Sequence, residues 1–142
     1  MLCAVIRVAM CVEGGPMGDY EPPPSHACDN TEGTVDLYEN RLARESYELF
    51  WRINTYKGRA VDWCLILRLV EVGSGVRHEV VRVDCCHGTV HRHRFRSSAP
   101  SWEEKTDLMD LHAGMQNEVD NMFGVEYDHL IDAWDQYVGR WR

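Results

Sequence analysis

Residues 76–96 read Val76-Arg77-His78-Glu79-Val80-Val81-Arg82-Val83-Asp84-Cys85-Cys86-His87-Gly88-Thr89-Val90-His91-Arg92-His93-Arg94-Phe95-Arg96. Apolar and polar residues alternate at period two on both sides of His87-Gly88, which predicts two strands joined by a tight turn. In the first strand, residues 76–85, Val81 and Val83 take one face and Val80, Arg82 and Asp84 the other. In the second, residues 89–96, His91, His93 and Phe95 share a face, and Arg92, Arg94 and Arg96 take the opposite one.

Upstream, Gly73-Ser74-Gly75 marks another hairpin turn. Residues 61–72 form a strand that is apolar on both faces around Leu65, Leu67 and Leu69, so it belongs in the middle of a sheet. Lys57-Gly58 is a further turn, and before it Tyr47, Leu49, Trp51, Ile53 and Thr55 recur at period two. Four consecutive strands with tight turns predict an antiparallel meander. Ahead of them, Val35, Tyr38 and Leu42 recur at helical spacing and predict a short helix over 35–45.

Downstream, Ala99-Pro100-Ser101 ends the sheet. Ser101 with Glu104 forms a capping box, followed by Leu108, Leu111, Met115, Val119 and Met122 at helical spacing, with Gly124 suited to the C′ position. Asp128 caps a second helix carrying Leu130, Ile131, Trp134, Val138 and Trp141. The expected class is α+β: an antiparallel β-meander of about four strands, packed on one face by C-terminal helices.

Gly14-Gly15-Pro16 and Pro22-Pro23-Pro24 disfavour regular structure, so residues 1–33 read as a flexible N-terminal leader and 34–142 as a single α+β domain. The apolar start over residues 1–12 is broken by Arg7 and lacks the charged beginning of a signal peptide, and Met17-Gly18-Asp19 offers a second start. No stretch approaches the roughly 18 apolar residues of a membrane helix, so no membrane partner is expected.

The chain has 142 residues, 44% hydrophobic and 27% charged, enough for one domain with its own core. A net charge of -8 excludes nonspecific binding of the whole molecule to nucleic acid or acidic lipid. The charge is uneven: residues 77–96 hold five arginines against Glu79 and Asp84, whereas residues 101–142 are acid-rich. The six cysteines show no disulfide framework and no CxxC pair, and they read as reduced thiols of a cytoplasmic protein.

Three readings of the histidine hairpin compete. The first is acid–base chemistry: two imidazoles serve as base and acid across a scissile phosphate, with arginine stabilising the anion. The second is a metal site in which His91 and His93 present two nitrogens to one side, completed by Asp84, His87 or Cys86; the spacing matches no standard zinc signature. The third is a sheet face that carries histidines without chemistry. His78, His112 and His129 stand alone and read as structural. There is no GxGxxG, phosphate loop, nucleophile elbow or HExxH, so neither cofactor nor metal is expected.

The pattern Arg82-x-Asp84-x-x-His87-Gly88-x-x-His91-x-His93, after a hydrophobic strand and a Gly turn, resembles a family of small bacterial proteins with an RxDxxHGxxHxH hairpin. It is similar, more distantly, to the TumE-like toxins of toxin–antitoxin systems. The resemblance covers residues 60–96, and the connection between Asp84 and His91 is shorter than in those toxins. It implies Arg82, Asp84, His87, His91 and His93 as the catalytic positions, a cognate antitoxin protein as partner, and RNA or a nucleotide as substrate. The alternatives are a non-catalytic protein-interaction module and a metal-dependent hydrolase.

Overall fold

The computed structural model describes residues 18–86, 88–99 and 101–142. Its core is a six-stranded antiparallel sheet in sequence order: β1 (Asp29–Asn40), β2 (Glu45–Tyr56), β3 (Arg59–Glu71), β4 (Arg77–Cys86), β5 (Thr89–Phe95) and β6 (Glu103–Asp110). One helix follows, α1 (Gln116–Trp141). The class is α+β as expected, with six strands rather than about four, and one C-terminal helix rather than two.

β3 lies inside the sheet and is buried on both faces, which is why its sequence shows no polar alternation. On one face Tyr47, Leu49, Trp63, Leu65, Leu67, Leu69, Val81 and Val83 form the main core. α1 covers this face with Val119, Leu130, Tyr137, Val138 and Trp141. Trp63 anchors the contact: it is fully buried, and its Nε1–H donates to the Val119 carbonyl at 2.9 Å. Arg92 also points to this side, where its guanidinium donates to both carboxylate oxygens of buried Glu126, at 2.9 and 2.8 Å.

Three β-bulges explain where periodicity misled. In β1 the register shifts between Asp36 and Tyr38, so Val35 opposes Leu49 and Tyr38 opposes Tyr47. The extra residue, Leu37, puts positions three apart on one face and imitates a helix; the helix expected over 35–45 is a strand and its turn. In β4 the shift makes Val80 the extra residue, and Val80 is buried with the core instead of sharing a face with Arg82.

In β6 the shift lies at Leu108, so Thr106 opposes Arg92 and Met109 opposes Val90. The segment from Ser101 is therefore a strand, not a capped helix. Cross-strand ion pairs to β5 supply the pairing energy that its thin apolar content does not. Gly124 and Asp128 lie inside α1, where packing overrides their preference for helix ends.

The second half of the expected leader belongs to the fold. β1 begins at Asp29, and Tyr20 is buried, with its hydroxyl donating to the Val61 carbonyl at 2.7 Å. Residues 1–17, including the apolar start and Met17, lie outside the described residues. Residues 18–20 thread past the hairpin turn at Gly88, which has φ 75°. A Cβ on Gly88 would lie 1.9 Å from the Gly18 carbonyl oxygen. Gly88→Ala is therefore expected to cost at least about 2 kcal/mol in urea unfolding, because left-handed strain and a backbone clash add.

Cys64 and Cys86 are disulfide-bonded, whereas Cys28 and Cys85 are not, so the expectation of six reduced cysteines is corrected. No helix among the described residues is long and apolar enough to cross a membrane.

Candidate active site

The face of the sheet opposite α1 carries charge. Arg82 opposes His93, and Asp84 opposes His91, on the hairpin of β4 and β5. All four side chains lie on one face, as period two requires, and each residue is nearly fully buried, between 1% and 3% exposed. His87, the remaining residue of the expected set, lies outside the described residues.

Strand β6 adds two groups that the sequence reading missed. Asp107 opposes His91, and its Oδ1 lies 3.0 Å from His91 Nδ1. Glu103 opposes Phe95, one step along, and its Oε1 lies 2.5 Å from His93 Nδ1. Each imidazole thus rests its Nδ1 on a carboxylate. No local motif announced this, because β6 read as a helix; an acidic strand facing a His-x-His strand was the available signal.

The two rings, 5.8 Å apart between centroids, are prepared differently. His91 Nε2 sits 3.2 Å from the Cys86 carbonyl oxygen while Nδ1 meets Asp107. Both partners are acceptors, so both bonds form together only when both ring nitrogens carry hydrogen. His93 donates from Nδ1 to Glu103, and its buried Nε2 has no hydrogen-bond partner among the described residues. The nearest acid oxygen is Asp84 Oδ2, at 3.9 Å.

Burial pushes the His93 pKa down to about 3, and the positive charges of Arg82, His91 and Lys105 push the same way. His93 is therefore neutral near pH 7, with a bare Nε2 lone pair. The Asp107 carboxyl is held below its usual value, chiefly by its hydrogen bond to His91.

Arg82 is the third component. Its Nη1 donates to Glu79 at 2.9 Å, its Nε lies 3.5 Å from Asp84 Oδ2, and its guanidinium stands 5.3 Å over the Phe95 ring. The bulge at Val80 makes the first contact, since it brings Glu79 to the Arg82 side although the two are three apart. Solvent meets the cluster along β6, where the Asp107 side chain is 63% exposed and that of Glu103 is 32% exposed.

Among the described residues no group of three or more His, Cys, Asp or Glu side chains has metal-holding geometry. Arg92 and Arg94 project to the other face, so Arg82 is the arginine that the hairpin brings to the histidines.

The chain matches no protein-family model, no curated protein and no solved structure.

The low pKa of His93 has a consequence for stability. A histidine whose folded pKa is depressed contributes stability that is fully present above the unfolded pKa, about 6.5. That contribution is lost as pH falls through the window between about 6.5 and about 3, because the unfolded chain binds the proton there and the folded one does not. Urea unfolding is expected to show stability falling in this window by up to about 1.4 kcal/mol per pH unit from this group. His93→Gln is expected to flatten that slope; an unchanged slope would show that His93 is not held neutral.

Proposed function

We propose that the protein is a toxin-like ribonuclease that cleaves RNA by acid–base chemistry at the His91–His93 pair. The observation that carries this reading is the unequal preparation of two neighbouring imidazoles beside a buried arginine. His93, neutral and oriented by Glu103, is the base: its Nε2 takes the proton of a ribose 2′-hydroxyl. The 2′-oxygen forms a bond to phosphorus as the bond to the 5′-oxygen breaks. His91, held between Asp107 and the Cys86 carbonyl, is the acid and gives a proton to the leaving 5′-oxygen. Arg82 stabilises the charge that gathers on the phosphoryl oxygens. The products are a 2′,3′-cyclic phosphate and a 5′-hydroxyl, with no metal in the balance.

A cognate antitoxin protein belongs to the same reading as the partner. Disulfide-bonded Cys64 and Cys86, however, fit an oxidising compartment better than the cytoplasm expected of an intracellular toxin.

A second reading rests on burial. Arg82, Asp84, His91 and His93 could form a structural network that stiffens the sheet of a protein-interaction module. Incubation of purified protein with single-stranded RNA in EDTA, followed by mass spectrometry of the ends, separates the two. Cyclic phosphate termini support the ribonuclease; intact RNA across a range of sequences overturns it and leaves the interaction module.

A further inference from the structure

We propose that the cleft at the Phe95 end of the histidine row is a subsite for one nucleotide of a single-stranded RNA, next to the bond that is cut. The inference rests on the ribonuclease reading and names how its substrate is held.

The cleft measures about 330 Å³ and is lined by Arg77, Glu79, Phe95, Arg96, Ser97 and Trp141, with His78 beside them. It adjoins the candidate active site through shared walls. Phe95 follows His93 on the same face of β5, two residues or about 7 Å along the strand. Glu79 and Phe95, which line the cleft, are also the residues that hold Arg82. A chain lying along β5 with a phosphate at His91 and His93 therefore runs directly into the cleft.

The chemistry of the lining suits a nucleotide. Half-buried Phe95 offers an aromatic surface for a base, and stacking of this kind tolerates any base. The acids nearby are already engaged: Glu79 accepts from Arg82, and Glu71 lies 2.7 Å from His78 Nε2. The Trp141 carbonyl, at the negative end of α1, accepts from the Ser97 backbone N–H at 2.7 Å. Arg77 shares Glu48 with Arg68. Arg96 stacks on Trp102 at 4.5 Å. Those two guanidiniums are the groups placed to meet the phosphate.

The test uses the whole protein and a short fluorescein-labelled single-stranded RNA in two forms. The first is fully 2′-O-methylated, which removes the nucleophile and leaves binding alone; the second is unmodified. Anisotropy with the methylated probe is expected to show salt-dependent binding. Arg96→Ala and Arg77→Ala, both at the protein surface, are each expected to weaken it about tenfold and to lower the salt slope by about 0.7.

If both variants bind with the parent affinity and slope while the unmodified RNA is still cut, the subsite is overturned and the ribonuclease reading stands. If the arginine variants lose binding but the parent never cuts the unmodified RNA, the cleft stands as a site for single-stranded RNA and the ribonuclease reading falls. No binding of the methylated probe at low salt overturns the subsite.

Discussion

His93→Gln is expected to lower RNA cleavage by about 10²–10⁴-fold while leaving the fold intact. A glutamine keeps a polar group of similar reach toward Glu103 but has no basic ring nitrogen to accept the 2′-hydroxyl proton. Alanine is the wrong control. His93 is 2% exposed, so truncation would open a cavity and remove a hydrogen-bond partner of Glu103, costing about 2 kcal/mol.

Glu103→Gln separates orientation from chemistry. It leaves His93 able to accept a proton but removes the carboxylate 2.5 Å from Nδ1, so kcat should fall with KM little changed. Asp107→Asn should weaken the acid limb in the same way, through His91. The measurement is initial cleavage rate against pH for the parent and each variant, with circular dichroism on the same samples. Unchanged cleavage in folded His93→Gln would end the acid–base reading.

Trp63→Ala is expected to destabilise the protein by about 3–5 kcal/mol in urea unfolding. The loss has two parts. The indole fills the space between β3 and α1, stacking edge-on against Phe123 with centroids 5.7 Å apart. Its N–H also satisfies the Val119 carbonyl in the first turns of α1, which would be left without that donor. Trp63→Phe keeps much of the volume and loses the hydrogen bond, so it should cost less, about 1–2 kcal/mol. A loss below about 1 kcal/mol for the alanine variant would mean that α1 does not seat on β3 as described.

The alternation of β2 and β5, the apolar run of β3 and the glycine turns are local properties, and they were legible because backbone geometry ties them to neighbours in the chain. The same rule placed His91 and His93 on one face and Arg92 and Arg94 on the other. What the sequence alone could not show is whatever depends on a partner strand. The bulges at Leu37, Val80 and Leu108 turn a period of two into a spacing of three, so β1 and β6 imitated helices.

The carboxylates on the two imidazoles come from β6, whose identity as a strand rests on pairing with β5. The low pKa of His93 arises from burial and from charges on three strands. The sequence by itself determined an antiparallel meander with a histidine face. Only the tertiary structure decided which histidine is held neutral and which is held between two acceptors, because protonation follows from neighbours that folding brings into contact.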